Sequence, residues 1–242
     1  MGVAARSAIP STMASSASAA QDPWAMYAAE RADIYAFLAS LSPLQWDAPS
    51  LCDQWRVRDV AVHLIVDGPV AELGVPRALA KAASLHFDVT RINDWWVARN
   101  RERPVERILE AFDGPWRPGP VSRLMARTGG PDLPMRGVVI HHQDMRRPLG
   151  LHRVIPDERL RAALEVVLTP KGSSNLDADE RARGLALRPT DLDWSWGEGA
   201  VVSGPAEAIL MAIAGRPIAL ADLSGPGLDL LAARVLGSSP PD

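Results

Sequence analysis

The sequence predicts an α+β protein, with a helix bundle over residues 24–155 followed by a small α+β unit over residues 156–238. Before Pro156, apolar residues recur every three or four positions, which is the period of a helix. Beyond residue 180, short alternating runs separated by turn residues are typical of strands. Residues 1–22 are small and polar, and we expect them to form a flexible tail.

Composition narrows the possible partners. The chain has 242 residues, 47% hydrophobic and 23% charged, as in globular proteins, and its net charge of −3 gives no basic surface for nucleic acid or an anionic membrane. Its one cysteine, Cys52, excludes an internal disulfide and a Cys-rich zinc site. No apolar run approaches the ~20 residues that cross a bilayer. We therefore expect a cytoplasmic monomer or homodimer.

The first helices have clear boundary signals. Apolar residues from Trp24 onward predict the first helix, and Ser42-Pro43-Leu44-Gln45 has the form of a capping box with proline at the first helical position. A further helix is predicted from Arg56 to Asp67, stopped by Gly68-Pro69.

The rest of the chain alternates helices with turns. Further bundle helices are predicted over 70–99 (broken near Pro76), 104–112 and 135–146. The Gly- and Pro-rich run 113–134 is predicted as a loop, with room for one helical turn at 121–127. After residue 156 we predict helices over 157–168, 206–214 and 226–236, and strands over 182–188, 191–196 and 200–203.

Two histidines on separate predicted helices are the main candidates for chemistry. If the helices carrying His63 and His141 face each other across the bundle, the two imidazoles meet at one polar point in an apolar interior. Metal sites of this kind need two or three imidazoles or carboxylates on rigid elements. Asp144 lies three residues after His141 and is the third candidate ligand, whereas His142 is rotated by about 100° from His141.

Each of these residues also has an ordinary structural interpretation. A histidine on a half-buried helix face is more often a core residue with one hydrogen bond than a ligand. Asp144 could pair with Arg146, Arg147 or a helix end, and those arginines could be stabilised as cations at a helix C-terminus. Cys52 could be a reactive thiol near the site or a buried structural residue. No nucleophile elbow, P-loop or dinucleotide fingerprint is present in the sequence.

Three segments carry a family resemblance. WDAPSLCDQWRVRDVAVHL resembles the signature of the mycothiol-dependent maleylpyruvate isomerase family, and IHHQDMRRPLG resembles its second motif. ALRPTDLDWSWGEGAVVSGPAEAILMAIAGRP resembles the C-terminal domain of the same family. The resemblance implies a DinB-like four-helix bundle that binds a divalent metal, followed by a small α+β domain.

The resemblance also implies roles for particular residues. The metal, zinc or alternatively nickel, would be held by His63, His141 and a carboxylate one turn before His141. That position is Gly137, so Asp144 is the substitute. Mycothiol would be the cosubstrate, activated as a metal-bound or metal-adjacent thiolate. Arg216 would be catalytic, holding a carboxylate or stabilising an enolate.

We also expect Arg146 and Arg147 to contact the cofactor. The implied function is a mycothiol-dependent, metal-assisted isomerase or thiol transferase acting on a small electrophile. Gly137 motivates one alternative, a non-catalytic relative that binds a small molecule and has lost the metal site. A metal-dependent hydrolase, which needs the same ligands and no thiol, is the other.

Overall fold

The computed structural model describes residues 22–129, 133–173 and 176–237. Within them the protein is mostly helical with a small two-stranded sheet, which confirms the α+β class. The tail predicted over residues 1–22 lies outside the described residues, except for Asp22. None of the helices in these three segments is both long and apolar enough to cross a membrane.

The helices before residue 150 are α1 (Pro23–Ala39), α2 (Pro43–Trp46), α3 (Val57–His63), α4 (Gly68–Leu73), α5 (Val75–Ser84), α6 (Val89–Arg99), α7 (Val105–Glu110), α8 (Pro120–Gly129), α9 (Leu133–Arg146) and a 3-10 turn (Arg147–Leu149). The remaining elements are α10 (Asp157–Val167), α11 (Pro170–Ser173), α12 (Ala178–Ala182), β1 (Leu185–Pro189), β2 (Ala200–Gly204), α13 (Ala206–Ile213), a 3-10 turn (Pro217–Asp222) and α14 (Leu228–Leu236).

The capping box before α2 is confirmed. The Ser42 side chain accepts a hydrogen bond from the Gln45 backbone, and the Gln45 side chain accepts one from the Ser42 backbone N–H at 2.9 Å. Each side chain satisfies a donor that the first helical turn leaves without an acceptor.

The predicted end of the next helix is wrong. α3 stops at His63, four residues before Asp67, and Gly68-Pro69 begins α4 instead of ending a helix. Proline fits the first helical turn because its missing N–H is not needed there. The Asp67 carboxylate instead accepts hydrogen bonds from the Val121 backbone and the Ser122 hydroxyl, at 2.8 and 2.7 Å.

The bundle is organised around α9, which packs against α1, α3 and α10, while α3 also packs against α6. Of all the elements described, α10 makes its most extensive contact with α9. Side chains such as Ile34, Val60, Val139 and Leu164 are fully or almost fully buried in one continuous core. α10 therefore joins the N-terminal helices to the C-terminal unit.

The C-terminal unit contains a parallel pair of strands, β1 and β2, in register from Leu185 opposite Ala200 to Pro189 opposite Gly204. The strand predicted over 191–196 is wrong, because the segment is irregular and only Trp196 bridges to Leu187. α13 lies behind the pair, with every residue except Glu207 buried. This apolar helix carries the chain to Arg216.

Candidate functional site

A short loop between α2 and α3 packs against α9. Pro49 and Arg56 form an antiparallel bridge, and the Ser50 hydroxyl donates to the Trp55 carbonyl at 2.8 Å. The Leu51 backbone N–H donates to the Asp144 carbonyl at 3.0 Å. This hydrogen bond fixes the loop, and Cys52 with it, on the C-terminal half of α9.

His63 and His141 lie against each other. Their ring centroids are 4.8 Å apart and the ring planes are nearly perpendicular, at 86°. The Trp55 ring packs on the other side of His63, with centroids 5.1 Å apart. Two imidazoles that are 78 positions apart in the chain therefore meet at one point, at the end of α3 and in the middle of α9.

His63 is held neutral and lacks a protein partner for one nitrogen. Its Nδ1 is buried and has no hydrogen-bond partner among the residues described. Burial, reinforced by repulsion from His141, lowers the pKa of His63 to about 3, against an opposing pull from Asp144. A neutral imidazole keeps one nitrogen lone pair free, which is the form that binds metal.

Asp144 is a completely buried carboxylate with several donors. The Arg216 guanidinium donates to both of its oxygens, at 2.9 and 2.7 Å, and His141 Nδ1 lies 2.9 Å from Oδ2. Burial alone would raise the pKa of Asp144, but the Arg216 charge and the His141 hydrogen bond outweigh it and hold the pKa well below its usual range. Asp144 is therefore ionised, and it accepts a hydrogen bond from His141 Nδ1.

Arg216 reaches Asp144 because of how α13 ends. Gly215 has a φ of +89°, and the Arg216 backbone N–H turns back to the Met211 carbonyl at 2.9 Å. Only glycine adopts this left-handed conformation without strain. Beyond the turn, the Arg216 guanidinium also donates to the Ala214 carbonyl at 2.6 Å. The ion pair thus joins the C-terminal unit to α9.

Cys52, for which the sequence left open a reactive thiol near the site or a buried structural role, is part of this cluster. Its thiol donates to Asp144 Oδ2 at 3.2 Å and lies 3.6 Å from His141 Nδ1. Burial, followed by the Asp144 charge, raises the pKa of Cys52 above its ordinary value. The thiol is therefore protonated at neutral pH. No spacing in the sequence could reveal this contact, because it depends on the path of an irregular loop.

The adjacent face of α9 carries a second polar network. His142 Nδ1 lies 2.8 Å from Glu30 Oε1, and Arg146 Nε donates to His142 Nε2 at 2.8 Å. Arg153 and Arg159 also donate to Glu30. His142 is thus a core histidine with both nitrogens bonded, on a different face from His141, as the helical rotation predicts.

The two arginines expected to contact a cofactor point to different places. Arg146 stacks on the Phe37 ring, 4.2 Å from its centroid, and lines a cleft on the α1 side. Arg147 is paired with Glu207 at the start of α13, and with Asp222 at 2.9 Å. Arg147 therefore ties the end of α9 to the C-terminal unit.

The donor atoms allow two arrangements for a divalent ion. In the first, Cys52, His141 and Asp144 each offer one ligand atom, all within 4.8 Å of one another. The second uses the His63 and His141 imidazoles. The first would displace Arg216 from a buried carboxylate and deprotonate a thiol whose pKa is raised.

The second arrangement fits better. His63 already has a buried nitrogen without a partner. The Asp144 carboxylate accepts from His141 Nδ1, which is the usual support for a histidine that binds metal through its other nitrogen. At Gly137, one turn before His141, no atom of the described residues beyond its chain neighbours and the local helix backbone lies within 4 Å of the place where a Cβ would stand. The chain thus supplies two imidazoles and space for a ligand from outside.

Comparison with known proteins gives one clear match. Residues 27–146 match the family model described as the mycothiol maleylpyruvate isomerase N-terminal domain. The matched segment runs from α1 to the last residue of α9, and so includes His63, His141 and Asp144. Comparisons with curated proteins and with solved structures give no significant match.

Proposed function

We propose that the chain joins a small thiol to an electrophilic carbon, as a thiol transferase or isomerase. The proposal starts from its family, because through residues 27–146 the chain belongs to the mycothiol maleylpyruvate isomerase family. Mycothiol is the proposed thiol, and a small electrophile is the other substrate. The observation that carries the proposal is the contact between His63 and His141, whose ring centroids are 4.8 Å apart.

The proposal includes a DinB-like arrangement of the bundle helices. It also includes a divalent ion held by His63 and His141, for which zinc is the first candidate. Such an ion would lower the pKa of a bound thiol toward neutrality. His63 contributes a neutral donor, since burial lowers its pKa to about 3. The open space above Gly137 provides room for the thiol.

The other residues of the cluster position His141. Asp144 accepts from His141 Nδ1, which leaves the lone pair of the neutral ring on Nε2. Arg216 in turn holds Asp144 through two hydrogen bonds. In this proposal Arg216 contributes to catalysis mainly by fixing Asp144, and Asp144 is a support for His141 more than a metal ligand.

The reaction requires the thiol to release its S–H proton to solvent and to form an S–C bond with the electrophile. In a transfer, the bond from that carbon to the leaving group breaks, and the leaving group departs with the electron pair. In an isomerisation, the thiolate adds to a conjugated double bond and is expelled after rotation about the resulting single bond. Both need a reduced thiol, so the proposal places the chain in the cytoplasm.

Turnover of mycothiol with chlorodinitrobenzene, alkyl halides and unsaturated acids tests the proposal. We expect thiol-dependent product from the wild type, and at least a hundredfold loss, about 3 kcal/mol, in His63→Gln and His141→Gln. His86→Gln is the matched control, because His86 is exposed on the turn between α5 and α6. Product formation that needs no thiol, or that both site variants retain in full, would show the proposal to be wrong.

A further inference from the structure

A cleft lies beside the polar network of His142, Glu30 and Arg146. It has a volume of about 370 Å³ and opens between α1 and the C-terminal end of α9. Its lining includes Asp33, Phe37, Ser40, Arg146, Arg153 and Val154. Neither His63 nor His141 lines it, so the cleft is separate from the candidate thiol site.

Arg146 presents an unused hydrogen-bonding edge to this cleft. Its Nε donates to His142 Nε2, and one terminal nitrogen donates to the Leu151 carbonyl at 3.2 Å. The other terminal nitrogen, Nη2, donates to no acceptor in the part of the chain that the structure describes. The guanidinium is fixed against the Phe37 ring at 4.2 Å. A planar, immobilised cation with a free edge is suited to binding a carboxylate.

The charges around the cleft leave one positive charge uncompensated. Three guanidinium groups meet here, those of Arg146, Arg153 and Arg159. Glu30 and Asp33 supply the two carboxylates, and both accept from Arg159. His142 is neutral in this arrangement, because its Nε2 accepts the hydrogen bond from Arg146 Nε and therefore carries no proton. Within this network, three cations against two anions leave a net charge of +1, which a monoanion would neutralise.

The charges next to Arg146 also favour a bound anion. No carboxylate contacts Arg146 within ion-pair distance among the described residues, whereas Glu30 is shared by Arg153 and Arg159. Burial, followed by repulsion from Arg153, lowers the pKa of Arg146. A bound anion would relieve both effects, and the nearby Asp33 carboxylate would disfavour a dianion.

We propose that this cleft is a binding site for a small organic monoanion, a carboxylate that is held by the free edge of Arg146 and packs its apolar part against the apolar side of the cleft, to which the largely buried Phe37 ring contributes an edge. Ala36 and Val154 complete the apolar side of the cleft. This inference goes beyond the proposed function and does not depend on it.

Calorimetric titration of the full chain with benzoate tests the inference. We expect saturable binding of one equivalent, weakened at least tenfold in Arg146→Gln, because a hydrogen bond between charged groups is lost. Phe37→Leu, which keeps an apolar side chain but removes the ring, should weaken benzoate more than acetate. Arg99→Gln removes one exposed cation from α6 and should leave binding unchanged.

Two comparison ligands test whether the cleft prefers a monoanionic carboxylate. Benzyl alcohol, which has the ring but no charge, should fail to bind, and inorganic phosphate should bind more weakly than benzoate. Preference for phosphate would overturn the assignment to monoanions. Equal benzoate affinity in the wild type and Arg146→Gln would overturn the site, as would the absence of saturable binding to the wild type.

One further variant separates this site from the thiol site. His63→Gln should retain full benzoate affinity, because His63 lies outside the cleft. Loss of benzoate binding in this variant would move the anion to the thiol site and overturn the inference. Failure of thiol turnover with benzoate binding intact would count against the proposed function alone.

Discussion

Removing the Arg216 side chain should lower the free energy of unfolding more than removing one partner of an exposed ion pair does. In Arg216→Gln, the fully buried Asp144 loses the cation that donates to both of its oxygens, at 2.9 and 2.7 Å. Leaving a buried charge without its partner typically costs about 3–5 kcal/mol. We expect a loss of this size in the free energy of unfolding, measured by urea denaturation at pH 7.

A double-mutant cycle separates the ion pair from simple loss of packing. Asp144→Asn combined with Arg216→Gln removes both charges, so the double variant should lose at least about 1.5 kcal/mol less than the sum of the single variants. Arg107→Gln is the control, because Arg107 and its partner Glu110 are 68% and 59% exposed. Its effect should stay within about 0.5 kcal/mol.

The loss in Arg216→Gln should also depend on pH. Without Arg216, burial raises the pKa of Asp144, and acid then neutralises the buried group in the variant. The difference in stability from the wild type should therefore shrink as the pH falls. A cost under about 1 kcal/mol at pH 7, or additive effects in the cycle, would refute the assignment of this ion pair as the link between α9 and the C-terminal unit.

The buried histidines and Cys52 give two further predictions. The pKa values of His63 and His142 fall from the ordinary value of 6.5 to about 3 and about 4, so the unfolded chain takes up these protons first as the pH falls. Stability should therefore drop by about 1.4 kcal/mol per pH unit for each histidine between pH 6.5 and 4, and the lowered pKa of Glu30 extends the loss below pH 4.5. Urea midpoints between pH 7 and 4 measure this, and a flat profile would contradict it. For Cys52, burial and the Asp144 charge raise the thiol pKa, so alkylation by iodoacetamide at pH 8 should be at least tenfold slower than in urea. Equal rates in folded and unfolded protein would contradict the half-buried, protonated thiol.

Local signals in the sequence predict much of the bundle. The Ser42 capping box and the apolar period of α1 are confirmed. The same helical period separates His141 from His142 by about 100°, and the structure places them in different networks. These features depend on residues three or four positions apart, which one sequence displays directly.

Features that depend on the path of the chain were missed or left open. A continuous helix would have placed Asp67 one turn after His63 on the same helix face. Because α3 ends at His63, Asp67 does not lie on that face. Cys52 enters the cluster only because the Leu51 backbone donates to the Asp144 carbonyl. The pairing of Asp144 with Arg216 crosses 72 positions and needs the turn at Gly215. No periodic pattern encodes such contacts.

Zinc affinity, measured by competition with a chromophoric chelator, tests most directly whether His63 and His141 form one site. We predict one bound ion in the wild type, at least tenfold weaker binding in His63→Gln and in His141→Gln, and tighter binding in Gly137→Glu, whose carboxylate would enter the open space one turn before His141. His86→Gln should match the wild type. If both site variants retain full affinity, or if only Cys52→Ala reduces it, the two imidazoles do not hold the ion and the central claim is contradicted.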